Sequence, residues 1–136
     1  MTHSDLQSTI YSYFENNWTD SPITYENTPW KPPVSDPWIR VTVSPYNTEN
    51  VGLGTHCVRL SGDIIIQVFV RYDVGTGPAY ALVDSVRAML ENKLLGNCIY
   101  TYESSPHVIG DSTRQLNHIQ SDWYQINVVT PFETAC

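Results

Sequence analysis

Positive charge is scarce in this chain: seven Lys and Arg stand against fourteen Asp and Glu, a formal charge of −7. The seven (Lys31, Arg40, Arg59, Arg71, Arg87, Lys93, Arg114) are scattered, with no two adjacent. Displacing counterions from phosphates takes a clustered basic footprint, so the composition argues against a dedicated nucleic-acid binder. An acidic protein can still surround DNA without holding it. Sulfur is also sparse. Cys57, Cys98 and Cys136 are odd in number and form no CxxC pair, and the run MTHSDLQSTIYSYF has neither a charged n-region nor an apolar h-region. Synthesis in a reducing cytosol is the expectation, which makes the sequon Asn17-Trp18-Thr19 a coincidence. No apolar run approaches the roughly 18 residues of a membrane-spanning helix, so a soluble protein is expected.

Motifs that carry chemistry are missing as well. The histidines His3, His56, His107 and His118 show no HxH, HxxxH or HExxH spacing, which leaves a metal site unsupported. Cys98 with His107 or His118 is conceivable as a nucleophile and base, but no flanking motif supports it. His56 and Cys57 are neighbours on a strand and point to opposite faces. Gly75-Thr76-Gly77 follows a strand and opens a helix, yet lacks the Walker lysine and the GxGxxG spacing, so it reads as a plain turn rather than a phosphate cradle. No cofactor is expected.

What the chain does have is a long strand pattern. In HCVRLSGDIIIQVFVRY (His56 to Tyr72), Val58, Leu60, Ile64, Ile66, Val68, Val70 and Tyr72 fall on one side and mostly polar residues on the other. Gly62 interrupts the series and marks a bulge or bend. At 136 residues and 41% apolar content, one domain is expected over 1–136, with room for a core.

In chain order, Ser4 is the expected cap of a first helix, with Gln7 in the capping-box position and Leu6, Ile10, Tyr13 and Phe14 on one face to about Asn16-Asn17. From Trp18 to Pro37, five prolines in twenty residues predict a stiff extended arm, with Ile23 to Tyr25 able to form a short edge strand. Trp38 to Ser44 alternates as a strand, and Pro45 to Thr55 reads as a polar link making a hairpin with the long strand. Pro78 opens a second helix, whose apolar face runs from Ala79 to Leu94 and which Gly96 stops after about Leu95. Three more strands are predicted: Cys98 to Tyr102, His107 to His118 with Gly110 as turn or bulge, and Asp122 to Thr130. The fold class is α+β: a mixed or antiparallel curved sheet with two helices packed on one face.

Ser21-Pro22-Ile23, Tyr25-Glu26-Asn27, Trp30, Pro32, Trp38, Leu53-Gly54, Arg59-Leu60-Ser61-Gly62, Gly75-Thr76-Gly77 and Asp84 occur in this order with characteristic spacing. Together they resemble the tail terminator, or tail completion, proteins of tailed bacteriophages, over about Trp18 to Trp123. The resemblance implies a non-enzymatic virion protein that forms a hexameric ring on the head-proximal end of the tail. It would cap the tail tube protein and join head to tail through a neck or head completion protein, with DNA passing through the lumen and assembly in the host cytoplasm. In such a ring each subunit uses two unlike patches. The expected interface residues are Tyr25, Trp30 and Pro32 of the arm, Trp38, then Tyr46, Asn47 and Asn50 of the link, the stretch expected to touch the tube, and Arg59 and Arg71. For the two arginines, cross-strand pairing with Asp63 or Asp73 is the alternative. Competing expectations are a head-tail connector of the neck, a small non-viral module holding an aromatic or peptide ligand near Trp30 and Trp38, and an enzyme using Cys98.

Overall fold

The computed structural model describes residues 2–29, 36–50, 58–71, 75–96, 98–111 and 123–134. Helix α1 runs His3–Asn17 and is capped by Thr2, not Ser4. The Thr2 hydroxyl accepts the Asp5 N–H at 3.0 Å and the Thr2 N–H donates to Asp5 Oδ2 at 3.2 Å, a reciprocal pair that satisfies two orphan amides. Ser4 therefore lies inside the first turn. Leu6, Ile10 and Phe14 are fully buried, and Trp18 ends the helix with its indole N–H donating to Ser21 O at 3.0 Å.

The strands are β1 Ile23–Tyr25, β2 Trp38–Asn50, β3 Val58–Arg71, β4 Leu94–Leu95, β5 Ile99–Thr101, β6 Ser105–Asp111 and β7 Trp123–Thr134. They form one seven-stranded sheet in the order β1-β2-β3-β7-β5-β4, with β6 also paired to β7. β1 is parallel to β2 and every other pair is antiparallel, so the sheet is mixed, and it curls into a half-barrel. Helix α2, Gly77–Leu90, follows β3. Leu60, Ile64, Ile66, Val68 and Val70 of β3 share one core with Ile39 and Val41 of β2, Ile126, Val128 and Phe132 of β7, and the apolar stripes of both helices. The expected α+β class with a curved mixed sheet is the observed one; the helices sit mostly beside the sheet and join its core through their apolar stripes.

Three expected element ends were wrong by four residues or more, and two of them involve proline. β2 does not stop at Ser44 but continues to Asn50, and β7 does not stop at Thr130 but runs through Pro131 to Thr134. In a strand the N–H and C=O of one residue point to the same side. Ile39 N–H donates to Pro22 O and Glu26 N–H to Val41 O, so these residues of β2 face β1. Pro45, in the same alternation but beyond the end of β1, has its missing donor on the open edge. Tyr102 N–H donates to Pro131 O at 2.9 Å, which turns Pro131 toward β5 at the point where β7 changes partner from β6 to β5. Neither proline removes a bond to β3. The same alternation turns Pro106, opposite Val128, to the outer edge of β6.

The third boundary is the end of α2, which stops at Leu90 instead of Leu95. Asn92 takes a left-handed conformation (φ 55°), and Leu94–Leu95 pairs with β5. Thr101 fixes this exit: its hydroxyl donates to Leu90 O and accepts the Lys93 N–H at 2.8 Å, while its own N–H reaches Lys93 O at 2.9 Å. Helical spacing had swept in Leu94, whose side chain is exposed. In β6 the expected irregularity near Gly110 is a register shift between Val108 and Gly110; the expected continuation to His118 lies outside the described residues, as do His56, Cys57 and Tyr72.

Gly62 marks a bulge that sits in its partner strand. The register shifts between Pro45 and Asn47, leaving Tyr46 as the extra residue, and a Cβ on Gly62 would lie 2.3 Å from Ser44 O and 2.6 Å from Pro45 Cα. Both obstacles are backbone. Gly62→Val is therefore expected to destabilise the chain by about 1–3 kcal/mol, read as a lower urea midpoint at unchanged slope; an unchanged midpoint refutes the close approach.

Candidate assembly surface

Among the described residues the second face of the sheet carries no helix, and its two halves differ. In the first, Trp38 of β2 lies directly opposite Phe69 of β3, their rings stacked at 4.1 Å and 14°. Trp123 of β7 meets Trp38 edge-on at 5.9 Å and 87°. Arg40 places its guanidinium 5.4 Å from the Trp38 ring and 5.6 Å from Phe69, and Arg71 lies 5.3 Å from the Trp123 ring. Each ring pair contributes roughly 0.5–1.5 kcal/mol beyond its burial, and each cation adds about 0.5–1 kcal/mol at such half-covered sites. Trp38 is only 3% exposed. It therefore braces this half from within and offers no ring to a partner, against its expected place among interface residues. Arg71 stacks on an indole, and the alternative partner Asp73 lies outside the described residues.

The second half is open. One register row crosses five strands, Asn47–Ser61–Glu133–Tyr100–Leu94. Tyr100 and Leu94 are 49% and 47% exposed, and Tyr102 stands on the same face two residues on. The Tyr102 phenol is pushed above its ordinary pKa, first by hydrogen bonding to the Glu133 carboxylate and then by slight desolvation, while Arg59 acts in the opposite direction. Arg59 sits opposite Glu49 in the ladder. Among the described residues the one ion pair is Arg87–Glu91, at 2.7 Å along α2, so Arg59 is not closed onto a carboxylate.

The other expected residues are dispersed. Tyr46, at the β2 bulge, is 66% exposed. Asn47 pairs with Ser61 and the Asn50 backbone with Val58, so the expected flexible link is, up to Asn50, the arm of a paired hairpin. Tyr25 packs on Tyr11 of α1, ring centroids 4.4 Å apart, and its hydroxyl donates to Glu15, which ties β1 to the helix. Trp30 and Pro32 lie outside the described residues, with Leu53-Gly54 and His118. Cys98 is half-buried at the turn into β5 and His107 is exposed on β6. Gly75 has φ 82° and Thr76 supplies no side-chain cap to α2. Among the described residues no group of three His, Cys, Asp or Glu could hold a metal, and no helix is long and apolar enough to cross a membrane. A cleft of about 820 Å³ separates Leu6 and Tyr11 of α1 from Val43 and Pro45 of β2, away from Trp38.

Sequence reasoning overlooked Tyr100 and Tyr102. The signal was present: in CIYTY the alternation that buries Ile99 and Thr101 must expose both tyrosines together. It also overlooked Phe69, which with Ile65 interrupts the polar side of the long strand.

The model of the phage tail terminator proteins matches residues 5–132. This chain belongs to the phage tail terminator family. As a member it is a structural protein of a virion tail, as the resemblance in its sequence implied. Solved structures share its fold, two of them over nearly the whole chain. One, which carries no descriptive name, has a TM-score of 0.65 at 17% identity, covering 96% of each chain. The other comes from the virion of a native gene transfer agent (GTA) particle, with a TM-score of 0.59 at 15% identity, covering 96% of this terminator and 95% of that chain. Among curated proteins nothing matches.

Two outcomes are expected of the terminator alone. Trp38→Ala removes a buried ring that three neighbours pack on and is expected to cost about 3–5 kcal/mol in denaturant unfolding; a loss below 1 kcal/mol contradicts the bracing role assigned to it. At high pH, Tyr25 matters. Burial, then its hydrogen bond to Glu15, raise its pKa far above the ordinary 10.0, and burial raises Tyr13 in the same direction. A folded-state value above the unfolded one leaves the contribution whole below pH 10 and removes it as pH climbs beyond, because only the unfolded chain then releases the proton. Urea midpoints should fall between pH 10 and pH 11 and fall less in Tyr25→Phe; equal slopes for the two proteins contradict this.

Proposed function

We propose that this terminator assembles into a hexameric ring on the head-proximal end of the tail, stops growth of the tail tube, and presents the surface to which the neck or head completion protein docks. The observation that carries the reading is the family match over residues 5–132, joined to a sheet face on which, among the described residues, Tyr100 and Leu94 stand exposed. It works by shape, without catalysis. The hairpin of β2 and β3 is the part assigned to the tube. Its paired strands lose little entropy on docking, and Tyr46, Asn47, Asn50 and Arg59 all lie on it. Tyr25, Trp30, Pro32 and Arg71 remain interface candidates on the arm and beside Trp123. The formal charge of −7 suits a ring that DNA slides through, since a like-charged wall repels phosphates where a basic one would grip them. Assembly takes place in the host cytoplasm, before the head joins.

The test is assembly in solution, with mass by sedimentation and shape by negative stain, with and without tail-tube protein. A six-fold ring and tubes of capped length are expected. A compact monomer that leaves tube length unchanged overturns the reading, and a ring that binds the portal side but not the tube favours the neck connector instead. Tyr46→Ser is expected to leave stability within about 0.5 kcal/mol while weakening the cap, seen as longer tubes at equal concentration.

A further inference from the structure

We infer that an extended, basic segment of the tail-tube protein lies in the cleft between α1 and β2 and continues the sheet where β1 leaves it, pairing with the open backbone of Val43. The inference rests on the proposed capping of the tube and names where the tube is gripped.

β1 has three residues and runs out long before β2 does. In a parallel pair the rungs fall on every second residue. On β2 they fall at Ile39, whose N–H reaches Pro22 O, and at Val41, whose carbonyl accepts the Glu26 N–H at 3.1 Å. The next rung belongs to Val43. Just there Asn27 takes a left-handed conformation (φ 57°) and turns the chain aside, and the Glu26 carbonyl that a longer ladder would offer to Val43 accepts the Thr28 hydroxyl at 3.3 Å. Among the described residues nothing takes the Val43 N–H. Pro45 has no donor for the following rung, so on this stretch a guest strand finds a donor at Val43 alone, which sets its register.

The open rung borders a cavity. The cleft of about 820 Å³ has Leu6 and Tyr11 of α1 on one wall and Val43 and Pro45 on the other. Sites for whole small ligands measure roughly 300–1,000 Å³. A strand laid beside Val43 sends every second side chain into this space, against the apolar wall of α1, and needs no movement of the helix.

Charge and continuity select the occupant. Among the described residues that line the cleft Glu26 is an acid and none is Lys or Arg, and residues 2–29 carry Asp5, Glu15, Asp20 and Glu26 without one base. Glu26 also faces α1: burial first, and then this carboxylate, raise the pKa of the Tyr11 phenol. A Lys or Arg entering the cleft finds that carboxylate without a cation. A polyanion is repelled. Among the described residues this chain's own bases stand on the strands β2 and β3, on α2 or at its exit, so a second copy has no extended basic segment to offer. The tube does lie in line with the cleft, because Pro45 is followed by Tyr46, 66% exposed on the hairpin assigned to the tube.

Two measurements on the full chain test this. Hydrogen exchange is read at the single amide of Val43 in the terminator alone and with tail-tube protein added. Exchange is expected to slow about tenfold or more on addition of the tube. An unchanged rate while tube length is capped overturns the inference and leaves the capping reading standing, and so does slowing already present in a ring without tube, which makes another copy the occupant. Glu26→Lys, at an exposed position, should melt and form rings as the parent does yet need about tenfold more protein to cap tubes. Capping equal to the parent's also overturns the inference. A parent that caps no tube defeats the capping reading itself.

Discussion

The structure depends on the hydrogen-bonded filling of both edges of β3. β2 runs along one side and β7 along the other, so that from Ser61 to Phe69 each residue has a partner on both sides. The strand is then free to divide its side chains by alternation, with Leu60, Ile64, Ile66, Val68 and Val70 in the core shared with the helices and Gln67, Phe69 and Arg71 on the second face. A slip of one residue would exchange these sets and expose five fully apolar side chains. Gly62 pins the register, because only at that position can Ser44 and Pro45 approach so closely.

From that ladder the rest is assembled by local satisfaction of the backbone. Thr2 and Asp5 close the start of α1, and Thr101 gathers the carbonyl of Leu90 and the amide of Lys93 where α2 gives way to β4. Thr9 and Gly96 bring α1 down onto the turn after β4, where a Cβ would lie 2.5 Å from Thr9 Cγ2. These contacts hold helices and sheet as one body while, among the described residues, no helix lies over the second face. That face is where a protein that acts by assembly has surface to spend.

Alternation and helical spacing carried most of this fold in plain view. They placed the long strand, both helices, the edge strand Ile23–Tyr25 and the hairpin partner beginning at Trp38. They could not show how far a strand continues past proline, because that depends on which way the missing amide points, and Pro45 and Pro131 both point away from β3. Nor could they separate Leu94 from the helix it follows, since its exit is imposed by Thr101 from another strand. The same limit applied to the surface. Trp38 reads as a partner-seeking aromatic until Phe69 and Trp123, distant in sequence, are seen to enclose it, and Tyr100 and Tyr102 read as ordinary strand residues until both are found exposed. The resemblance in the sequence reached the family because several of its motifs mark turns, bends and strand starts, among them Ser21-Pro22-Ile23 leading into β1, Trp38 opening β2 and Gly62 at the bulge.

The lengths of the three central strands have a mechanical consequence. β2, β3 and β7 are thirteen, fourteen and twelve residues long and lie antiparallel side by side. A pull applied along their common axis loads all their rungs together in shear, whereas a pull across them opens the rungs singly, like a zip. The domain is thus stiff in one direction and compliant in the other, and the direction in which it is mounted decides how much tension it withstands.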